Sequence, residues 1–322
     1  MGDNQNYFRL YGKSPFYQLF FSLMIMLFAG VILLYLLLWL GTFIFRTDWT
    51  TLVKNISGGS GKEDVAFLRF MIISQDISLF ILPGIIIITL MKQSYQGNGM
   101  FTKLPRFNEV VLVIILGFSV FPVTSFTGQL NSAMHLPDWL SGVEQWMADK
   151  EDQANNAIDN LIVARSFGSM AMNLLVIAVI PAIGEEFIFR GVFQKILSSL
   201  FKSGHFAVWF TAILFSALHF QFFGFIPRLI LGLIFGYLFL WGGTLWLPVI
   251  SHFVNNAFPV ILAYVQGLEK INTPQDLPLW KQAIVLPLPV AICLVILFYF
   301  RNKSNNKKNE LAKMTPLDPE DY

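Results

Sequence analysis

Eight apolar stretches punctuate the chain, at roughly 16–44, 67–90, 108–126, 167–190, 205–225, 228–243, 247–266 and 283–300, and most are long enough to cross a bilayer. About 20 apolar residues span the hydrocarbon as a helix. No water there satisfies backbone groups, so only helices and closed barrels can cross. Barrel strands would alternate over about ten residues, whereas these runs are continuous. The expected fold is therefore all-α, a polytopic membrane bundle of about eight transmembrane helices. Composition agrees: 13% of the residues are charged, against about 25% in soluble domains.

A net charge of +2 gives no reason to expect a nucleic-acid partner. Cys293 stands alone, which excludes an internal disulfide and any multi-cysteine metal site. The first run exceeds the 7–15 residues or so of a signal-peptide core and reads as a retained helix. Orientation follows from Lys and Arg in short loops. Arg9, Lys13, Lys92, Lys103, Arg106, Arg301, Lys303, Lys307, Lys308 and Lys313 lie on one side. The segment 127–164 instead carries Asp138, Glu144, Asp149, Glu151, Asp152 and Asp159 against Lys150 alone. This predicts a multi-pass protein of a bacterial plasma membrane with both termini cytoplasmic and the acidic loop outside, although Arg46, Lys54 and Lys62 run against the bias.

The chain reads as one integrated membrane domain in three stretches. Residues 1–165 hold the N-terminal helices and the acidic loop, 166–300 the helices with the polar groups, and 301–322 a disordered basic tail. Within the loop, Leu136, Trp139, Leu140, Val143, Trp146 and Met147 recur at helical spacing, predicting an amphipathic helix on the outer surface. The stretch NISGGSGKED (55–64) is no phosphate loop: Ile56 and Glu63 occupy the places of its first Gly and its Ser/Thr.

Ionisable groups inside apolar helices are costly and usually kept for function. Glu185, Glu186 and Arg190 interrupt LLVIAVIPAIGEEFIFRGVF, His219 sits in FSALHF, and His252 and Asn256 in ISHFVNN. Neighbours on a helix are turned by about 100°, so Glu185 and Glu186 cannot face one point. Glu186 and Arg190 are spaced i,i+4 in the favourable order, leaving Glu185 to face a cavity, with Pro181 and Gly184 loosening the helix just before it. If the chain turns near Lys202–Gly204, the helical rise returns His219 nearly to the depth of Glu185. His252 and Asn256 share a helix face and offer two donors.

A glutamate in low dielectric is a usable general base for water, a histidine can orient that water, and a His/Asn pair can hold an oxyanion. Without a nucleophilic Ser or Cys, this points to hydrolysis by direct attack on a peptide or ester carbonyl. His-Glu-x-x-His, Gly-x-Ser-Gly and Gly-x-Gly-Asp motifs are absent. Glu185, His219 and His252 could also ligate zinc with an open position, the lesser alternative to a mechanism with no cofactor. Two further readings are a non-catalytic immunity or scaffold protein and a proton-coupled transporter; neither an inverted repeat nor paired broken helices supports the last.

GEEFIFRG resembles the Glu-Glu-x-x-x-Arg motif of the CPBP family, the type II CAAX prenyl endopeptidases, Abi and bacteriocin-processing proteins. FSALH and HFVNN are similar to that family's Phe-x-x-x-His and His-x-x-x-Asn/Asp motifs, in the same order. The resemblance covers about residues 170–265. It implies an eight-helix intramembrane glutamic protease whose cavity opens to the cytoplasm. By it Glu185 and His219 activate water, His252 and Asn256 form the oxyanion hole, and Glu186 and Arg190 support them. The expected partners are the lipid bilayer and a peptide or lipidated protein substrate.

Overall fold

The computed structural model describes residues 10, 12–56, 65–91, 100–162, 166–266 and 278–314. Among them every regular element is helical. In chain order they are α1 (Pro15–Ile44), α2 (Trp49–Ile56), α3 (Val65–Leu90), α4 (Phe107–Ser132), α5 (Ser141–Ile162), α6 (Phe167–Phe201), α7 (Gly204–Ala217), α8 (Phe225–Gly242), α9 (Trp246–Gln266), α10 (Leu279–Val285) and α11 (Pro287–Met314). Helices α1, α3, α4, α6, α8 and α9 are long and apolar enough to cross a membrane, and α10 with α11, bent by 42°, makes a seventh span. With the shorter α7 these are the eight apolar segments expected. The glycine-rich stretch falls mostly outside the described residues.

Two boundaries differ from expectation. The run 205–225 is not one helix with His219 inside it: α7 stops at Ala217, and His219 lies in the turn that follows. Phe220 adopts φ 53°, a left-handed conformation that ends the helix and is uncommon for a bulky residue. Pro227 then sits in the first turn of α8, where its missing N–H costs nothing. At 14 residues and about 1.5 Å per residue, α7 is about 21 Å long. That is short of the roughly 30 Å hydrocarbon core, so the 218–224 turn lies at membrane depth. The second correction concerns the tail. Arg301–Met314 continues α11 as helix rather than beginning a disordered segment. Extending a helix already nucleated adds one bond per residue fixed, and Lys303 pairs with Glu109 at the start of α4.

Three stretches are widened to π-helix: Ile77–Ile81 in α3, and Leu174–Val179 and Phe189–Gln194 in α6. The first two end just before Pro83 and Pro181. A proline removes an i→i−4 bond and crowds the preceding turn, and one extra residue per turn relieves both. Arg69 of α3 donates to Ser169 and Asn173 of α6, and Phe80 meets Phe189 at 6.0 Å, tying the first half of the chain to the second.

Helices α7 and α8 pack on small residues. A Cβ on Gly232 would lie 3.0 Å from the Ala212 Cα, and one on Gly236 would lie 2.9 Å from Val208. Small residues let membrane helices approach closely. Because Ala212 presents backbone rather than a flexible tip, Gly232→Ala is expected to lower stability by about 1–3 kcal/mol, read as an earlier thermal unfolding in detergent; an unchanged midpoint would refute the close approach.

The loops sort cleanly onto two sides. The 243–245 corner bonds to Met100 and Lys103, placing it beside the start of α4 and the described end of α11. On the opposite side Asn131, at the end of α4, accepts from the Ile226 N–H and donates to the Phe222 carbonyl. There α5 lies across the bundle, with Trp146 against Phe222 at 5.5 Å.

Candidate active site

The site is built on α6 between its two later widenings. Pro181 starts the α-helical turn that carries Glu185 and Glu186, and the second widening begins at Phe189 and includes Arg190. Single π-turns within α-helices are often found at functional sites.

Glu186 and Arg190 form a closed pair, Nη1 to Oε1 at 2.8 Å, with both side chains 0% exposed. Arg190 also donates from Nη2 to the Gly232 carbonyl at 3.0 Å. Its guanidinium lies 4.9 Å from the Phe215 ring, 5.5 Å from Phe235 and 6.0 Å from Phe189. One turn on, Gln194 donates to the Gly236 carbonyl at 3.0 Å. A fully buried cation is thus held by a carboxylate, a carbonyl and three aromatic faces.

The same Glu186 oxygen lies 2.9 Å from His252 Nδ1, and Phe235 stacks on the His252 ring at 4.9 Å. A carboxylate only accepts, so Nδ1 carries the proton and donates to it. In a neutral ring Nε2 is then an acceptor; it becomes a donor only when His252 is imidazolium. Asn256 donates to the Ile177 carbonyl at 3.2 Å and accepts from Asn255 at 3.2 Å, leaving one amide N–H.

Glu185 points away from this pair. Its Oε2 has no hydrogen-bond partner among the described residues and lies 3.9 Å from His219 Nε2. His219 Nδ1 lies 2.6 Å from the Phe215 carbonyl, an acceptor, so Nδ1 donates and Nε2 faces Glu185 with its lone pair. Two acceptors therefore face each other, too far apart to bond directly. A water donating one proton to each, at about 2.8 Å, would hold them about 4.4 Å apart. The observed spacing is close to that.

All six sequence-predicted residues lie in this region, five of them in two layers: Glu186, Arg190 and His252 bonded together, and Glu185 facing His219. Asn256 is bonded to α6 rather than to either layer. Among the described residues no three His, Cys, Asp or Glu side chains are grouped to hold a metal ion.

Two further charges belong to the site. Asp76, 5% exposed at the start of the widened turn of α3, has an Oδ2 without a hydrogen-bond partner among the described residues, and its charge bears on Glu185 together with those of Glu186, Arg190 and Arg228. Arg228 is held by the Gln221 carbonyl at 3.2 Å and by the Gln221 side chain. Asp76 is a lone carboxylate in the run FLRFMIISQDISLFIL, which reads only as a hydrophobic span; the rule that singled out Glu185 applies to it equally. Asp76→Asn keeps the shape and removes the charge. A charge in low dielectric is worth at least one tenfold step, so cleavage is expected to fall about tenfold with the unfolding midpoint retained. An unchanged rate would remove Asp76 from the site.

The Bacillus subtilis (strain 168) protein described as "Uncharacterized protein YpbD" is 28% identical over 89 residues, which are 26% of this chain and 42% of that protein. The chain thus spans less than half the length of that relative. No solved structure matches. Residues 167–258, the stretch that carries both glutamates, both histidines and Asn256, match the family described as Type II CAAX prenyl endopeptidase Rce1-like.

Proposed function

We propose that the protein is a CAAX-type intramembrane endopeptidase in which Glu185 and His219 activate a water for attack on a peptide carbonyl. The carrying observation is the pair of acceptors 3.9 Å apart at membrane depth. Each takes one proton of a shared water, so the water's lone pair is free for the carbonyl carbon. As the new C–O bond forms, Glu185 takes a proton from the water. The carbonyl π electrons move to oxygen, giving a tetrahedral oxyanion. The C–N bond then breaks as the proton held by Glu185 passes to the leaving amine. The remaining Asn256 amide N–H, and Nε2 of His252 in its imidazolium form, are the donors for the oxyanion. Glu186 stabilises that imidazolium through Nδ1, and Arg190 holds the Glu186 carboxylate in place for it. No metal takes part in this scheme. The family match supports a CAAX-type endopeptidase in general, and the substrate is a membrane-associated or lipidated polypeptide.

The test is cleavage of a quenched-fluorescent prenylated peptide and a peptide library by the purified protein, with Glu185→Gln and a chelator in parallel. Cleavage lost in the variant and indifferent to chelator is expected. Cleavage abolished by chelator and restored by zinc would replace the metal-free scheme. Cleavage that survives Glu185→Gln would eliminate the glutamate mechanism.

A further inference from the structure

Burial across the site is graded. The side chains of Glu186 and Arg190 are 0% exposed, His252 is 5%, Glu185 10% and His219 27%. Beyond Arg190, toward the Lys202 turn, Phe189, Val192, Phe193, Ile196 and Leu197 close the bundle. The site is therefore sealed toward Lys202 and opens at the 218–224 turn that carries His219. That turn belongs to the α5 side. Asn131 braces it from the end of α4, and Trp146 of α5 covers Phe222.

The two sides differ in charge. Around the termini lie Lys13, Lys103, Arg106, Lys202, Arg301, Lys303 and Lys307, with Glu109 and Glu310. On the α5 side Asp48, Asp138, Glu144, Asp149, Glu151 and Asp152 lie with Arg46, Lys150 and Lys281, while Arg69 and Arg228 are taken up by Asn173 and Gln221, so this side carries no basic excess to match that of the termini. Basic loops stay in the cytoplasm, so the termini face it and α5 does not. A cytoplasmic mouth, implied by the family resemblance, and cytoplasmic termini exclude each other in this fold, because the mouth lies opposite the termini.

We propose that the site opens on the non-cytoplasmic face of the membrane, between the 218–224 turn and α5, and takes a polypeptide segment presented from that face. The substrate is then an exported or outer-leaflet-anchored chain, not one lipidated and held on the cytoplasmic leaflet. The substrate class rests on the proposed proteolysis; the direction of the mouth does not.

The experiment has an arm for each. In a Cys293→Ala background, single cysteines at Lys150→Cys on α5, Phe220→Cys at the mouth and Lys307→Cys on α11 are treated with a membrane-impermeant maleimide in intact cells. Expected labelling reaches the first two at once and the third only after permeabilisation. Labelling of Lys307→Cys in intact cells, or failure to reach Phe220→Cys from outside, overturns the assigned face. In the second arm, new N-termini of membrane proteins are compared between wild-type and Glu185→Gln cells. The expected Glu185-dependent termini fall in non-cytoplasmic segments of their proteins. Termini in cytoplasmic segments would overturn the substrate class. Their complete absence would sink it together with the proteolytic reading, while the labelling still decides the face.

Discussion

Glu185→Gln is expected to lower peptide cleavage by about 10²–10⁴-fold, the range a positioned general base contributes, while the protein unfolds at an unchanged or higher temperature. The two halves of that result come from one fact. Glu185 is buried, and its Oε2 has no partner among the described residues, so its charge is not neutralised by a bonded cation as that of Glu186 is. Asp76 and Glu186 bear on it with the same sign. Removing a like charge from low dielectric relieves repulsion, so the amide should cost no stability. The loss is confined to chemistry, because an amide cannot take the water's proton. His219→Asn gives the complementary measurement. It removes the second acceptor and should lower kcat by a smaller factor, because Glu185 still takes the proton. A Glu185→Gln protein that is both inactive and less stable would mean that the glutamate holds the helix together.

The spans were legible because continuous apolar runs leave a chain few alternatives in a bilayer. The i,i+4 pair of Glu186 and Arg190 was legible for a local reason, and the nearness of Glu185 and His219 followed from helical rise on either side of a short turn. What the sequence hides is non-local. The end of α7 at Ala217 depends on Phe220 at positive φ and on Asn131, 91 residues before the Phe222 carbonyl that it binds. His252 shares the Glu186 carboxylate across 66 residues, and that contact sets which ring nitrogen is protonated. Helical face alone made His252 and Asn256 two equal donors. Asp76 was readable by the same rule as Glu185, but one carboxylate in a long apolar run lacks the pairing that made the later motifs stand out. The helical stretch Arg301–Met314 reads as a polar tail in isolation and is helix because the span before it nucleates it.

Glu186→Gln carries the largest expected loss of stability, about 3–5 kcal/mol, the cost of leaving one partner of a buried pair uncompensated. The order within the pair is set by what each survivor can do. An arginine cannot shed its proton inside a protein, so with Gln at position 186 the Arg190 cation has no counter-ion and keeps only neutral partners, the amide oxygen, the Gly232 carbonyl and the rings of Phe189, Phe215 and Phe235. After Arg190→Gln, by contrast, Glu186 still has His252 Nδ1 at 2.9 Å and can also be protonated. Glu186→Gln is therefore expected to be the worse single change. The double variant should lose less than the sum of the two, since neither leaves a bare charge. Thermal unfolding of the four proteins in one detergent measures this cycle, and strict additivity would contradict the buried pair. Activity should separate them differently. Arg190→Gln keeps the Glu186–His252 contact and should retain part of the cleavage rate, whereas Glu186→Gln removes the negative charge that stabilises the His252 imidazolium and should approach the inactivity of Glu185→Gln. If Arg190→Gln is instead the more stable and the less active of the two, the guanidinium acts at the oxyanion and not as the counter-ion of Glu186.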